Sequence, residues 1–157
     1  MALADSQTPR SRSNVAAKEV QTMASETQCG TILLVDDNMA VRGLAKRLLE
    51  VAGYKVIAAA DGEEGLHFYE RHRSSIALLL TDVVMPKISG FELADRVLGM
   101  DSKLPVVLMS GDAPCEYRDM ECLTKPFRPT ELIETVSRVL SVPHDHQGRL
   151  SIALLEP

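Results

Sequence analysis

Five side chains that can bind a cation or a phosphoryl group follow short apolar runs in this sequence. Asp36 and Asp37 come directly after the first run, Asp82 after the third, Ser110 after the fourth, and Lys125 after a weaker fifth. Carboxylates crowded together repel one another unless a cation joins them, and an all-oxygen set suits Mg²⁺. With that ion bound, one aspartate can attack a phosphoryl group while the lysine and the hydroxyl stabilise charge on its oxygens. The set therefore predicts magnesium-dependent phosphoryl chemistry.

Each of these residues also has a purely structural explanation. Asp37 or Asn38 could cap a helix, Asp82 and the Ser110-Gly111-Asp112 stretch could lie in turns, and Lys125 could be a solvated charge. Their joint placement after four separate runs favours the functional explanation. The turn after the first run contains no glycine and carries two negative charges. It therefore cannot cradle the phosphates of a dinucleotide or a flavin.

The apolar runs have the length and composition of buried parallel strands. Each is four or five residues long and apolar on both faces, as expected for a sheet covered on both sides. In such a sheet the carboxyl ends of the strands form the functional crevice, where the five side chains would lie. The predicted strands cover residues 32–35, 56–59, 76–80 and 106–109, with a fifth near 121–123.

Helical periodicity fills most of the intervals between the runs. Apolar residues recur at helical spacing until Gly53 ends the first pattern, and Ser89 with Glu92 forms a capping box before another. Alternation of strands and helices predicts a doubly wound α/β fold with right-handed crossovers. The predicted helices cover residues 41–52, 63–73, 91–98 and 129–140, of which the second has the weakest pattern.

The composition is that of an ordinary globular domain. Hydrophobic residues make up 45% of the 157 residues and charged residues 25%, with a net charge of −5. Mild acidity without a basic cluster argues against nucleic acid or membrane partners, and no apolar run is long enough to span a bilayer. Three cysteines without a C-x-x-C pair argue against a secreted disulfide scaffold and a structural zinc site. We expect a cytoplasmic protein.

Polar stretches mark the expected domain boundaries. Residues 1–29 are expected to be a disordered leader, because they contain almost no large apolar side chain. The domain is expected to cover residues 30–141, followed by a tail at 142–157 that is too short for an effector domain. His144 and His146 in this tail could bind a metal, although solvated histidines are the favoured interpretation.

Four motifs, in order, make the chain resemble the receiver (phosphoacceptor, CheY-like) domain of two-component response regulators. The resemblance covers about residues 31–141 and implies a flavodoxin-like (βα)5 fold with strand order 2-1-3-4-5. The motifs are Leu34-Val35-Asp36-Asp37-Asn38, Thr81-Asp82-Val83-Val84-Met85-Pro86-Lys87-Ile88-Ser89-Gly90, Met109-Ser110-Gly111 and Leu123-Thr124-Lys125-Pro126-Phe127.

The resemblance assigns roles in phosphoryl transfer by position. Asp82 is expected to be the phosphoacceptor, Ser110 the switch hydroxyl, and Lys125 the lysine that pairs with the phosphoryl group. The peptide bond from Lys125 to Pro126 is expected to be cis. Receivers catalyse their own phosphorylation and dephosphorylation, so the resemblance implies a signalling domain and not an enzyme.

The resemblance also implies Mg²⁺ as the cofactor. Asp37 is expected to bind the ion directly and Asp36 through water. Asp82 and the backbone carbonyl of Val84 are expected to complete the protein ligands.

The sequence departs from the family in the segment before Lys125. Cys122 occupies the position of the family's aromatic switch residue. Only 15 positions separate Ser110 from Lys125, so the fourth helix, within 113–120 at most, is expected to be shortened or missing. A similar shortening occurs in receivers attached to hybrid histidine kinases. Cys115 and Cys122 could be redox-active, although a buried apolar role is favoured for Cys122.

The resemblance implies a stand-alone receiver in a two-component phosphorelay. It would accept phosphate from a sensor histidine kinase or a His-phosphotransfer protein and signal by contact with a downstream protein target. One alternative is an aspartyl-phosphate phosphohydrolase, which normally needs a second acid where Val84 lies. Another is a degenerate receiver that binds a partner without phosphorylation. Homodimerisation stays open, and no nucleic acid or membrane partner is expected.

Overall fold

Strands and helices alternate along the chain as far as the fourth strand. The computed structural model describes residues 30–112 and 115–141, so the predicted leader, the tail and its two histidines lie outside the described residues. The strands are β1 (Thr31–Val35), β2 (Lys55–Ala59), β3 (Ile76–Asp82), β4 (Val106–Ser110) and β5 (Glu121–Thr124). The helices are α1 (Met39–Val51), α2 (Gly62–His72), α3 (Gly90–Met100) and α4 (Pro129–Ser141).

The five strands form one parallel sheet in the order β2-β1-β3-β4-β5. This order confirms the predicted doubly wound, flavodoxin-like fold. In the sheet register Val35 lies beside Thr81, and Ser110 lies beside Thr124. The residues that follow these positions therefore emerge at one edge of the sheet. None of the described helices is long and apolar enough to cross a membrane.

The core is divided between the two faces of the sheet. Along β1, Ile32 and Leu34 point to one face and Leu33 and Val35 to the other, and all four are completely buried. Side chains of α1 and α4 cover the first face, including Leu49 and Leu132. Side chains of α2 and α3 cover the second face, including Tyr69 and Leu93. Strands enclosed in this way must be apolar on both sides, which explains their continuous apolar runs.

Polar side chains fix the starts of three helices. Asn38 caps α1, because its side-chain oxygen accepts hydrogen bonds from the backbone N–H groups of Ala40 (3.0 Å) and Val41 (3.2 Å). Ser89 caps α3 by accepting from the N–H of Glu92 (3.2 Å). Since Asn38 is the residue that caps α1, the side chain of Asp37 is not needed for that purpose.

Asp61 caps α2, and its replacement has a pH-dependent effect on stability. A hydrogen bond from the Glu64 N–H (2.8 Å), reinforced by the charge of Lys87, lowers the pKa of Asp61 despite partial burial. Asp61→Ala is expected to destabilise the domain by about 1 kcal/mol. Asp61→Asn keeps the oxygen acceptor, so it measures the contribution of the charge alone. Urea unfolding of the three proteins between neutral and acidic pH checks this.

The sign of the pH effect follows from the lowered pKa of Asp61. Stability contributed by the charge is fully present above the ordinary value of 3.8 and is lost as the pH falls through the lower folded-state value. The advantage of the wild type over Asp61→Asn should therefore disappear in acid. A difference that does not change with pH would show that the charge of Asp61 does not contribute.

The described residues between β4 and β5 form no helix, which confirms the predicted loss of the fourth helix. Residues 115–120 form an irregular turn closed by a hydrogen bond from the Met120 N–H to the Tyr117 carbonyl (2.9 Å). Cys115 and Cys122 form a disulfide across this turn, with their Cα atoms 6.0 Å apart. The preferred prediction of a buried apolar role for Cys122 is therefore wrong. Cys122 is only partly buried, because it lies on the edge strand β5 beside the returning chain.

Candidate functional site

The structure brings the three predicted aspartates together at the carboxyl edge of the sheet. Asp36 follows β1, and Asp82 is the last residue of β3, the neighbouring strand. One carboxylate oxygen of each of Asp36, Asp37 and Asp82 lies within 4.8 Å of the others. Asp36 is completely buried, Asp82 is 8% exposed, and Asp37 is exposed. The cluster is therefore open to solvent on the side of Asp37.

Lys125 joins two of these carboxylates. Its ammonium nitrogen lies 2.7 Å from Oδ2 of Asp36 and 3.1 Å from Oδ1 of Asp82. The backbone N–H of Lys125 donates to the carbonyl of Ser110 (2.7 Å), which fixes the end of β5 against β4. The peptide bond from Lys125 to Pro126 is cis, as predicted.

The charges of the cluster shift the protonation equilibria of Asp82 and Lys125. Burial raises the pKa of Asp82, and the charges of Asp36 and Asp37 act in the same direction, while Lys125 opposes them. Burial acts to lower the pKa of Lys125, but its hydrogen bonds and ion pairs with Asp36 and Asp82 outweigh burial and raise that pKa. Lys125 therefore stays charged. The cluster thus has more carboxylates than cationic side chains in contact with them, which suits a divalent cation.

Hydrogen bonds hold both the carboxylate and the backbone carbonyl of Asp36. Its Oδ1 accepts from the Asn38 N–H (2.9 Å), its Oδ2 binds Lys125, and its backbone carbonyl accepts from the Arg42 guanidinium (2.6 Å). No motif in the sequence singles out Arg42 as a partner of Asp36. Its contact with Asp36 could have been predicted from its position one helical turn after Asn38, because side chains on a helix lean towards the helix N-terminus.

The backbone of Asp82 is packed against the start of α3. A Cβ atom added to Gly90 would lie 2.0 Å from the carbonyl oxygen of Asp82. The Gly90 N–H donates to the carbonyl of Val83 (2.9 Å), and the Thr81 hydroxyl donates to the Asp82 carbonyl (3.0 Å). Only a glycine permits this approach, so α3 fixes where Asp82 lies.

The side chains of Ser110 and Val84 are directed elsewhere than to the three carboxylates. Ser110 is buried, and its hydroxyl donates to the carbonyl of Asp112 (3.3 Å) within its own loop. The side chain of Val84, two residues beyond Asp82, is 73% exposed. The switch role of Ser110 and the metal-ligand role of the Val84 carbonyl stay predictions.

Comparison with known protein sequences identifies the same domain type. A family profile described as the response regulator receiver domain matches residues 32–137. The transcriptional regulatory protein CpxR of Escherichia coli K12 is 35% identical over 120 residues, covering 72% of this chain and 50% of CpxR. The putative two-component response regulator ARR21 of Arabidopsis thaliana is 30% identical over 125 residues, covering 76% of this chain and 20% of that protein. The chain spans half or less of the length of these two relatives.

Solved structures with this fold include two receivers. The receiver domain of the hybrid histidine kinase CckA is 40% identical, with a TM-score of 0.64 over 71% of this chain and 99% of that chain. The chemotaxis protein CheY4 of Vibrio cholerae is 30% identical, with a TM-score of 0.65 over 70% of this chain and 98% of that chain. The match to CckA agrees with the likeness to hybrid-kinase receivers that the sequence indicates.

Proposed function

Because the chain belongs to the response regulator receiver domain family, we propose that it accepts a phosphoryl group on Asp82 in a two-component phosphorelay. The observation that carries this proposal is the contact of Lys125 with both Asp36 and Asp82 inside an acidic cluster. A partly buried ammonium beside a reactive carboxylate is suited to stabilising phosphoryl oxygens. We assign this function to residues 30–141 and place it in the cytoplasm.

Asp82 is the best phosphoacceptor among the three aspartates. Asp36 is completely buried and both of its carboxylate oxygens already accept hydrogen bonds. Asp37 is exposed, whereas Asp82 combines contact with Lys125 and a residual exposed surface. A donor can therefore reach Asp82 while Lys125 lies beside the new phosphoryl oxygens.

The donor set fits Mg²⁺. All its side-chain ligands are carboxylate oxygens, and such a set at a site open to solvent suits a divalent ion that retains water. We propose Asp36, Asp37, Asp82 and the Val84 carbonyl as the protein ligands. Bound Mg²⁺ would neutralise charge on the phosphoryl oxygens.

The chain's own residues would carry out the transfer. A carboxylate oxygen of Asp82 attacks phosphorus, forming the acyl phosphate bond as the phosphorus–nitrogen bond to the donor histidine breaks. Lys125 then exchanges its contact with Asp82 for one with a phosphoryl oxygen. Ser110 leaves the Asp112 carbonyl and donates its hydroxyl hydrogen to another phosphoryl oxygen.

We propose that the donor is a sensor histidine kinase or a His-phosphotransfer protein that docks on α1. Met39 and Leu44 on this helix are 77% and 54% exposed, so both offer apolar surface to a partner. Met39 lies two residues after Asp37, so a partner bound there reaches the acidic cluster. A downstream protein target would read the phosphorylated state.

Intact mass after incubation with phosphoramidate and Mg²⁺ tests the proposed phosphorylation. We expect one added phosphoryl group, no addition after chelation of Mg²⁺, and none on Asp82→Asn. Glu70→Gln is the matched control, because it removes an exposed carboxylate on α2 and should leave phosphorylation unchanged.

Two other outcomes would contradict the proposal. Donor consumption without an adduct would favour a phosphohydrolase, although the apolar Val84 lies where that class normally has its second acid. No adduct and no consumption, with folded protein, would favour a receiver that binds its partner without phosphorylation.

A further inference from the structure

The Cys115–Cys122 disulfide lies where the family has a helix and an aromatic switch residue. We call residues 115–122 the bridged segment. The Cα atoms of its two cysteines are 6.0 Å apart, inside the range that a disulfide can join. Both cysteines are partly exposed, and both pack against the core on the face of the sheet covered by α2 and α3.

The disulfide is the one covalent link within the bridged segment, and non-covalent contacts join the segment to the rest of the domain. The Tyr117 hydroxyl donates to Oδ2 of Asp95 on α3 (2.7 Å), and the Tyr117 ring lies 4.4 Å from that of Phe91. Arg118 and Asp119 have positive φ angles of 49° and 57°, a conformation that arginine rarely adopts and aspartate tolerates better. Residues 115–120 make no helix or strand, so side-chain contacts and the disulfide hold them; Arg118 pairs with Asp95 (3.4 Å) and Met120 is buried in the core.

Both ends of the bridged segment lead directly into the phosphorylation site. Cys122 pairs with Leu108 in the sheet and lies three residues before Lys125. Cys115 lies three residues after Asp112, whose carbonyl accepts the hydrogen bond from the Ser110 hydroxyl. The disulfide therefore restrains the chain next to the acceptor that Ser110 must leave and on the strand that delivers Lys125.

We propose that Cys115–Cys122 is a reversible redox site that controls how readily the Asp82 site takes up a phosphoryl group. In a reducing compartment such as the cytoplasm, persistent disulfides are rare and are mostly catalytic or redox-sensing. A dithiol reductant breaks the sulfur–sulfur bond. Each cysteine sulfur takes up one electron and one proton, and the two thiols of the reductant form a disulfide in exchange.

The direction of control follows from the restraint on Asp112. In the oxidised form the disulfide shortens the covalent path from Asp112 to β5, which we expect to keep the Asp112 carbonyl near Ser110 and to favour the unphosphorylated arrangement. In the reduced form the segment is released, so Ser110 turns more easily to a phosphoryl oxygen. Coupling between two sites is reciprocal, so phosphorylation also favours reduction of the disulfide. This second half of the inference depends on the proposed function of Asp82.

The redox half is tested without phosphorylation. In the full chain carrying Cys29→Ser, alkylation and intact mass across thiol–disulfide buffers should label Cys115 and Cys122 together, never one alone. Hydrogen exchange of residues 115–120 should be at least about fivefold faster in the reduced form. A bond that the buffers never reduce, or exchange that does not change, would overturn the proposal.

The coupling half uses beryllofluoride with Mg²⁺ as the phosphoryl mimic. Calorimetry should show at least about fivefold tighter binding by the reduced form than by the oxidised form. Cys115→Ser cannot form the bond, so it should match the reduced form in both buffers. Equal affinities would overturn the coupling. Loss of binding in every form, with the redox results as expected, would instead contradict the function proposed for Asp82.

Discussion

Lys125→Met is expected to slow phosphorylation of Asp82 by about 10²–10³-fold, because it removes the ammonium that stabilises phosphoryl oxygens. The same change leaves Asp36 and Asp82 buried without a counter-charge, since Lys125 lies 2.7 Å from one and 3.1 Å from the other. Loss of one partner from such a buried set is expected to cost about 3 kcal/mol of stability without metal. Single-turnover phosphorylation and urea unfolding measure the two effects.

Mg²⁺ separates the structural effect of Lys125 from its chemical effect. A bound divalent ion replaces the missing positive charge, so it should restore the stability of Lys125→Met but not its phosphorylation rate. The folded-state pKa of Asp82 is raised by burial and should rise further without Lys125. Protonation then favours folding, so the loss of stability should shrink as the pH falls.

Lys87→Met is the matched control for the loss of a lysine. Lys87 is exposed and pairs with Asp61 (3.6 Å) and Glu63 (3.0 Å), so its removal should cost far less stability than the removal of Lys125. Phosphorylation should not change. A Lys125→Met protein that is phosphorylated at the normal rate would contradict the role assigned to Lys125.

Gly90→Ala is expected to damage both stability and phosphorylation. The added methyl group would lie 2.0 Å from the Asp82 carbonyl oxygen, which is backbone and cannot rotate away. Forced shifts of this kind typically cost about 1–3 kcal/mol, and here the shift displaces Asp82 itself. Thermal unfolding and the phosphorylation rate measure the two consequences.

Gly99→Ala is the control on the same helix. Nothing lies within 4 Å of a Cβ at Gly99, so alanine should stabilise α3 by up to about 1 kcal/mol through its higher helix propensity. Phosphorylation should stay normal. If both glycine variants behaved alike, the close approach of α3 to Asp82 would not be what positions the phosphoacceptor.

The positions of the aspartates were predictable because burial on two faces leaves a clear signal. The apolar runs at 32–35 and 76–80 identify β1 and β3, and Asp36 and Asp82 follow them closely.

The pattern of α2 is weaker because Gly62 and Gly65 lower its helix propensity. A Cβ at Gly65 would lie 2.8 Å from the side chain of Val35, so the close packing of α2 against β1 requires glycine at this position. The same glycine weakens the helical pattern in the sequence.

Contacts that depend on the path of a loop could not be predicted. The seven-residue separation of Cys115 and Cys122 allows their Cα atoms to lie up to about 25 Å apart. A disulfide needs them within about 7 Å, which only the turn between them decides. The same limit applies to Lys125, whose contact with Asp36 across 89 positions depends on how β5 ends.

Chemical mapping of the phosphorylated carboxylate tests the central claim most directly. Borohydride reduces an acyl phosphate to an alcohol, so it converts a phosphorylated aspartate into homoserine that peptide mass spectrometry can locate. After treatment with phosphoramidate and Mg²⁺, we expect homoserine at position 82 and at no other position. Homoserine at Asp36 or Asp37, or phosphate retained on a residue that borohydride does not reduce, would contradict the assignment of Asp82.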